Sequence, residues 1–256
     1  MLVRFWGTRG SLPVAMRPPA VADKVARALL AASGRSFDTL ADARAFADDL
    51  PFPVSGTYGG ATACVEIAEA GEAFMVCDLG SGLREFGLDA MRRVAAGHAP
   101  VFHIFLSHLH WDHIMGFPFF APAFVPHARI VIHSGHADAE TALRRQMEEI
   151  SFPVAFDWLA ADIRFVTLAP DVVHEVDGVQ VELIVQNHSH DSYGYRFTKG
   201  RRSLCYSTDS EHKLEDRDAW DRFVTFFRYA DLVVFDTMYS LADSVTMKAD
   251  WGHSSN

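Results

Sequence analysis

Three histidines and one aspartate fall within six positions in Ser107-His-Leu-His-Trp-Asp-His113. Neutral imidazoles and a carboxylate, with no thiolate beside them, suit zinc or another first-row metal such as manganese or iron rather than calcium or magnesium. His108 and His110 lie two apart directly after the apolar run Val-Phe-His-Ile-Phe-Leu that ends at Leu106. At the end of a strand, residues two apart project to the same side. Asp112 and His113 follow where the chain would turn toward a helix, and there they can face a second position. The alternative is a chance histidine cluster on a solvated loop.

Positioning such a cluster needs a scaffold, and β-type runs recur at residues 3–5, 62–67, 74–77, 101–106, 130–132, 179–185, 194–198 and 232–235. Helical patterns fall between them; across residues 137–150, Ala139, Ala142, Leu143, Met147 and Ile150 recur at helical spacing opposite Arg144, Arg145 and Glu148. Mixed strands followed by helices in each half indicate a layered α/β architecture. Between Pro13 and Gly56, residues 14–55 read as a helical insertion, with stretches at 19–32 and 39–50. Pro18 and Pro19 stand near the first start and Ser33-Gly34 near its end. Val21, Val25, Ala28, Leu29 and Ala32 form an apolar stripe, which fits a hairpin packed on the domain's flank. A sharper alternative is a lid, or the surface of a homodimer.

The chain has 256 residues, 49% of them hydrophobic, enough for one domain over residues 1–256 with a full core. Apolar runs stay below the roughly 18 residues of a membrane span, and the N-terminus enters a strand pattern at once, so the expectation is a cytoplasmic protein with no membrane partner. Cys64, Cys77 and Cys205 sit in apolar runs and read as buried free thiols. The net charge of −10 weighs against a large nucleic-acid partner and leaves a small-molecule substrate.

His108-x-His110-x-Asp112-His113 resembles the signature of the metallo-β-lactamase superfamily of binuclear metallohydrolases. That resemblance implies an αββα sandwich of two mixed sheets flanked by helices, with the site at one edge of the sheets. It also implies later ligands on separate loops. These would be His188, closing the run at 179–186, and Asp209, closing the run at 203–206, as the bridge between two divalent metals. Asp78-Leu-Gly-Ser-Gly82 is similar to the family's first motif, whose aspartate orients the metal loop.

Within the superfamily, Arg4-Phe-Trp-Gly-Thr-Arg-Gly-Ser11, Tyr58-Gly-Gly60, the stretch around His108 and Tyr206-Ser-Thr-Asp-Ser-Glu-His212 resemble the branch that holds tRNase Z and the cyclic phosphodiesterases. Ala61-Thr62-Ala63 departs from it, standing where that branch carries Asn-Thr-Ser. The branch also implies that Asp236, ending the strand at 232–235, charges and orients His253 of Gly252-His-Ser-Ser255 as a proton donor. The competing reading makes His253 the last ligand of the second metal. The branch carries a further ligand histidine after another strand, so the resemblance implies that a C-terminal strand and helix lie beyond Asn256.

The resulting expectation is a phosphodiesterase for small or cyclic nucleotide substrates. His108, His110 and His188 would hold one metal, Asp112 and His113 the other, and Asp209 both; Asp112 would hold or deprotonate the attacking water. His212 would touch the phosphate or leaving group, or make a supporting hydrogen bond. A lactamase, lactonase or thioesterase of the same fold, and a non-catalytic metal- or nucleotide-binding sensor, are the alternatives. No Lys/Arg-rich arm of the kind a tRNA substrate would call for is present, and His190 reads as part of a polar turn. Phe117, Phe119 and Phe120 read as core or as the wall of a base-sized pocket, and His98, His103, His127, His133, His136 and His174 as surface or strand positions without a partner pattern.

Overall fold

Alternate residues of the strands serve two different cores, and that division generates the layers. The computed structural model describes residues 1–211, 217–238 and 253–254. In chain order its strands and α-helices are β1 (Leu2–Gly7), α1 (Pro18–Ala31), α2 (Leu40–Asp48), α3 (Phe52–Ser55), β2 (Cys64–Ala68), β3 (Phe74–Cys77), α4 (Leu83–Ala95), β4 (Val101–Leu106), α5 (Trp111–Ile114), β5 (Arg129–Ser134), α6 (Ala139–Gln146), β6 (Asp162–Thr167), β7 (His174–Val176), β8 (Val179–Gln186), β9 (Ser192–Lys199), β10 (Arg202–Ser207), α7 (Arg217–Phe227) and β11 (Leu232–Phe235). One sheet has the order β1-β2-β3-β4-β5-β6 and the other β11-β10-β9-β8-β7. Strands β3 to β6 run parallel, as do β10 and β11, and the other neighbours are antiparallel.

On β4, Phe102, Ile104 and Leu106 enter the core under α4 and α6, whereas Phe105 enters the core between the sheets. Strand β3 divides the same way, with Phe74 and Val76 outward and Met75 and Cys77 inward. The period of two in a strand makes this division automatic once both faces are covered. Helix α4 buries Leu83, Phe86, Gly87 and Ala90 against the first sheet. Across the molecule, α7 lies on the second sheet, where Arg196 of β9 donates from Nη1 to the Arg228 carbonyl just beyond the helix at 3.0 Å. The αββα sandwich is therefore the observed architecture, and all three cysteines are free and buried.

Several elements depart from the sequence reading. Helix α6 stops at Gln146 rather than continuing to residue 150, and Ile150 is 93% exposed, so its helical spacing is not used for packing. Strands β6 and β7 were not anticipated; β6 is an edge strand whose alternation is only half buried. In the insertion, Thr39 caps α2 through a reciprocal capping box with Asp42. None of α1, α2 and α3 buries a residue, and the α1 stripe is open at Val21, Val25 and Leu29. Phe117 and Phe120 are fully buried in the core beside α4, and Phe119 faces outward.

His103 and His133 do have partners, contrary to the sequence reading, because β4 and β5 set them side by side. His103 Nδ1 lies 3.0 Å from His133 Nε2, and the His133 ring stacks on Phe105 at 4.9 Å. Burial first, and then the neighbouring His103 ring, push His133 from 6.5 down to about 3. A histidine held neutral in the fold takes up a proton more readily when unfolded. Its stabilising contribution is therefore complete above pH 6.5 and is lost as the pH falls toward about 3. Urea unfolding across that window should show His133→Gln losing less stability on acidification than the parent protein. Parallel pH profiles would show that His133 does not titrate in this way.

Candidate metal centre

The metal loop is held from beneath by one buried carboxylate. Asp78, directly after β3, has a left-handed conformation (φ 62°), which an aspartate tolerates better than most residues, and it is wholly buried. Its Oδ1 accepts from Ser107 N at 2.7 Å. Its Oδ2 accepts from Ser107 Oγ at 2.8 Å and from Tyr206 OH at 2.7 Å, and pairs with His113 Nδ1 at 2.7 Å. The chain after Asp78 presses against the α5 region so closely that a Cβ on Gly80 would lie 2.6 Å from the Asp112 carbonyl oxygen. A Cβ on Gly116 would lie 2.0 Å from the Gly80 carbonyl oxygen. Glycine is required at both positions by this approach.

The six residues read as ligands converge above this base. His108, His110 and His188 each offer a ring nitrogen within one grouping that could hold a metal ion, and His108, His113 and Asp209 form a second. His110 Nδ1 lies 3.0 Å from His188 Nε2. Asp209 faces both groups, with Oδ2 at 3.6 Å from His108 Nε2 and 3.9 Å from His188 Nε2, and Oδ1 at 3.4 Å from His113 Nε2. Asp112 Oδ2 also lies 3.4 Å from His113 Nε2 and accepts from Ser11 N at 2.7 Å.

The donor chemistry fits metal ions. His108 Nε2 and His113 Nε2 are buried, point into the cluster and have no hydrogen-bond partner. Such orphaned nitrogens are costly unless something else takes their lone pairs, and a cation does that. Burial, reinforced by the His113 ring, pushes His108 well below the usual histidine range, so it presents the neutral form that ligation needs. At His113 burial is outweighed by Asp209, Asp78 and Asp112, which raise the ring's affinity for a proton and equally for a cation at Nε2. Around Asp209 the order is similar. Burial raises it, and the attraction of His113 and His108 more than reverses that.

His253 and Asp236 stand beside the cluster. His253 Nδ1 pairs with Asp236 Oδ2 at 2.9 Å and lies 4.0 Å from Asp209 Oδ2. Asp236 also accepts from Ser254 N at 3.2 Å and Ser210 N at 3.3 Å. Burial lowers the His253 proton affinity, but Asp236 and Asp209 raise it further, leaving the ring above its ordinary value. Asp209, Asp236 and His253 also satisfy the geometry of a third metal-holding group. His212 lies outside the described residues. The sequence reading missed Ser11, whose amide on Asp112 has no side-chain signal, and Ser189, whose hydroxyl lies 3.3 Å from His110 Nε2. For Ser189 the signal was its position directly after His188.

Ser189 fixes which His110 nitrogen faces the cluster. With Nδ1 turned inward, the ring proton belongs on Nε2 and donates to Ser189 Oγ. Ser189→Ala should weaken metal binding about 10- to 100-fold, measured by chelator competition, and leave the metal-free Tm unchanged. An unchanged metal affinity would remove Ser189 from the orienting role.

The family model described as beta-lactamase superfamily domain matches residues 75–256. Among solved structures, human tRNase Z, short form, is similar at 17% identity and TM-score 0.59, over 99% of this chain and 84% of that one. Yeast PDE1 is similar at 12% identity and TM-score 0.56, over 76% and 75% of the two chains. The metallo-beta-lactamase fold protein YhfI from Bacillus subtilis is similar at 17% identity and TM-score 0.54, over 78% and 71%. At these identities the likeness is one of fold. No curated protein matches the sequence. The family model spans most of the chain, and this protein belongs to the beta-lactamase superfamily, the metal-dependent hydrolases of the metallo-β-lactamase fold.

Proposed function

We propose that the protein is a binuclear phosphodiesterase acting on small nucleotide or cyclic phosphate diesters, with two divalent cations, zinc by preference, as cofactors. His108, His110 and His188 would hold the first, Asp112 and His113 the second, and Asp209 both. Such a pair of cations supplies an acidified water and neutralises charge on the phosphoryl oxygens. The chain's own groups carry the protons. Asp112, which accepts a hydrogen bond from the Ser11 amide, would accept the proton of the attacking water.

The observation that carries this reading is the Asp236–His253 pair. A thiolate leaves without a proton, so thioester cleavage gains little from a dedicated acid, whereas the alkoxide leaving group of a phosphodiester gains much from one. Asp236 fixes the His253 ring through Nδ1 and raises its affinity for a proton, and the proton that the leaving oxygen would take is the one on Nε2. The net charge of −10 favours a small anion over a polyanion. No described helix is long and apolar enough to cross a membrane.

Metal-loaded parent protein and His253→Ala should be compared on bis(p-nitrophenyl) phosphate and on cyclic nucleotides. Nitrophenolate leaves near neutral pH without a proton, whereas a ribose oxygen needs one. The variant should lose about 10²–10⁴ in kcat on cyclic nucleotides and far less on the nitrophenyl ester. Equal losses on both would remove His253 as the proton donor. Absence of diester turnover in the metal-replete parent protein would overturn the phosphodiesterase reading itself.

A further inference from the structure

Beside the metal positions lies a cavity of about 270 Å³ whose apolar wall and arginine have no part in the reaction outlined above. His113 and Asp209 form one end of it, and Phe5, Val65, Val234 and Phe235 line an apolar wall contributed by β1, β2 and β11. Its polar rim includes Thr8, Arg9 and Thr237. Among the described residues lining the cavity, Arg9 is the single lysine or arginine.

Arg9 stands on a rigid mount. Its amide donates to the Ala61 carbonyl at 3.0 Å, and the residue bridges Thr62 in a parallel pairing. Two residues earlier the chain runs so close to β2 that a Cβ on Gly7 would lie 1.8 Å from the Thr62 carbonyl oxygen. The backbone is therefore fixed, and the exposed side chain makes no ion pair or hydrogen bond among the described residues. Elsewhere in the molecule a buried carboxylate draws arginines to it, as Glu66 does with Arg4 and Arg93. The two carboxylates of this cavity are occupied instead. Asp236 accepts from Met238 N at 3.0 Å and holds His253, and Asp209 is turned to the histidines.

The cavity thus has a metal-binding end, an apolar middle and, at its rim, an arginine whose side chain has no partner among the described residues. A guanidinium forks onto carboxylate or phosphate oxygens, and an apolar wall suits the carbon skeleton between two polar ends. At about 270 Å³ the space lies just below the usual range of ligand sites, roughly 300 to 1,000 Å³, so it suits a sugar-sized spacer and not an oligonucleotide. We propose that the cavity seats a second anionic group of the substrate, a carboxylate or phosphate gripped by Arg9, while the scissile diester lies against the metal positions. This rests on the phosphodiesterase reading and narrows it to diesters that carry a second anion. In a chain of net charge −10, Arg9 would be the local cation that makes such a substrate acceptable.

Calorimetric binding of propyl phosphate and 2-carboxyethyl phosphate to the metal-loaded protein tests the proposal, since the two probes differ chiefly in a terminal anion. The parent protein should prefer the carboxylate-bearing probe by about tenfold or more. The preference should vanish in Arg9→Gln and survive in part in Arg9→Lys, which keeps the charge and loses the fork. No preference in the parent protein, or the same preference in Arg9→Gln, would overturn the proposal. Diester turnover by the parent protein is scored separately. Turnover without a probe preference removes the Arg9 seat alone, and an Arg9-dependent preference without turnover keeps the anion seat and removes the phosphodiesterase reading.

Discussion

The buried Asp78 carboxylate is the constraint on which the candidate centre depends. It joins β3 to the start of the metal loop through Ser107, to α5 through His113, and to the second sheet through Tyr206. A carboxylate with no exposure is tolerable only because each oxygen has donors, and removing one partner of such a buried pair typically costs about 3–5 kcal/mol. The network has a functional consequence too. With Nδ1 of His113 engaged by Asp78, the other nitrogen is the one directed into the cluster, so the same bonds that tie the sheets together select the atom that would bind a metal. Strain at the strand end and close glycine contacts at Gly80 and Gly116 are features of that loop packing.

Around this base the centre is assembled from strand ends of both sheets. β4 leads into His108 and His110, β8 into His188, β10 into Asp209 and β11 into Asp236. Each element contributes one or two groups, so the geometry is set by how the sheets stack and not by any single loop. Asp209 reaches both groups of histidines because it sits where the second sheet meets the metal loop of the first.

Much of this was legible in the sequence because the signals are local. The apolar run before His108, the close spacing of the cluster and the polar residues ending later strands all lie within short windows, and resemblance to a family supplied the roles of His188 and Asp209. What escaped was set by register or by backbone. His103 and His133 meet only because β4 and β5 align at a particular offset, which no single run encodes. Ser11 acts through its amide, which has no side-chain pattern, and Ser189 is marked only by its place directly after His188. The edge strand β6, half exposed, carries too weak an alternation to stand out, whereas Ile150 shows helical spacing that packing never uses. The α1 stripe matches an amphipathic helix, and amphipathicity alone did not reveal that the helix would stay open on the protein itself.

In the proposed centre one carboxylate, Asp209, would be shared by two cations. Anomalous X-ray diffraction from crystals soaked in zinc or manganese tests it directly. Two peaks per chain, about 3.5–4 Å apart, are predicted, one against His108, His110 and His188, the other against Asp112 and His113, with Asp209 touching both. A single peak, or two peaks without Asp209 between them, would contradict the claim.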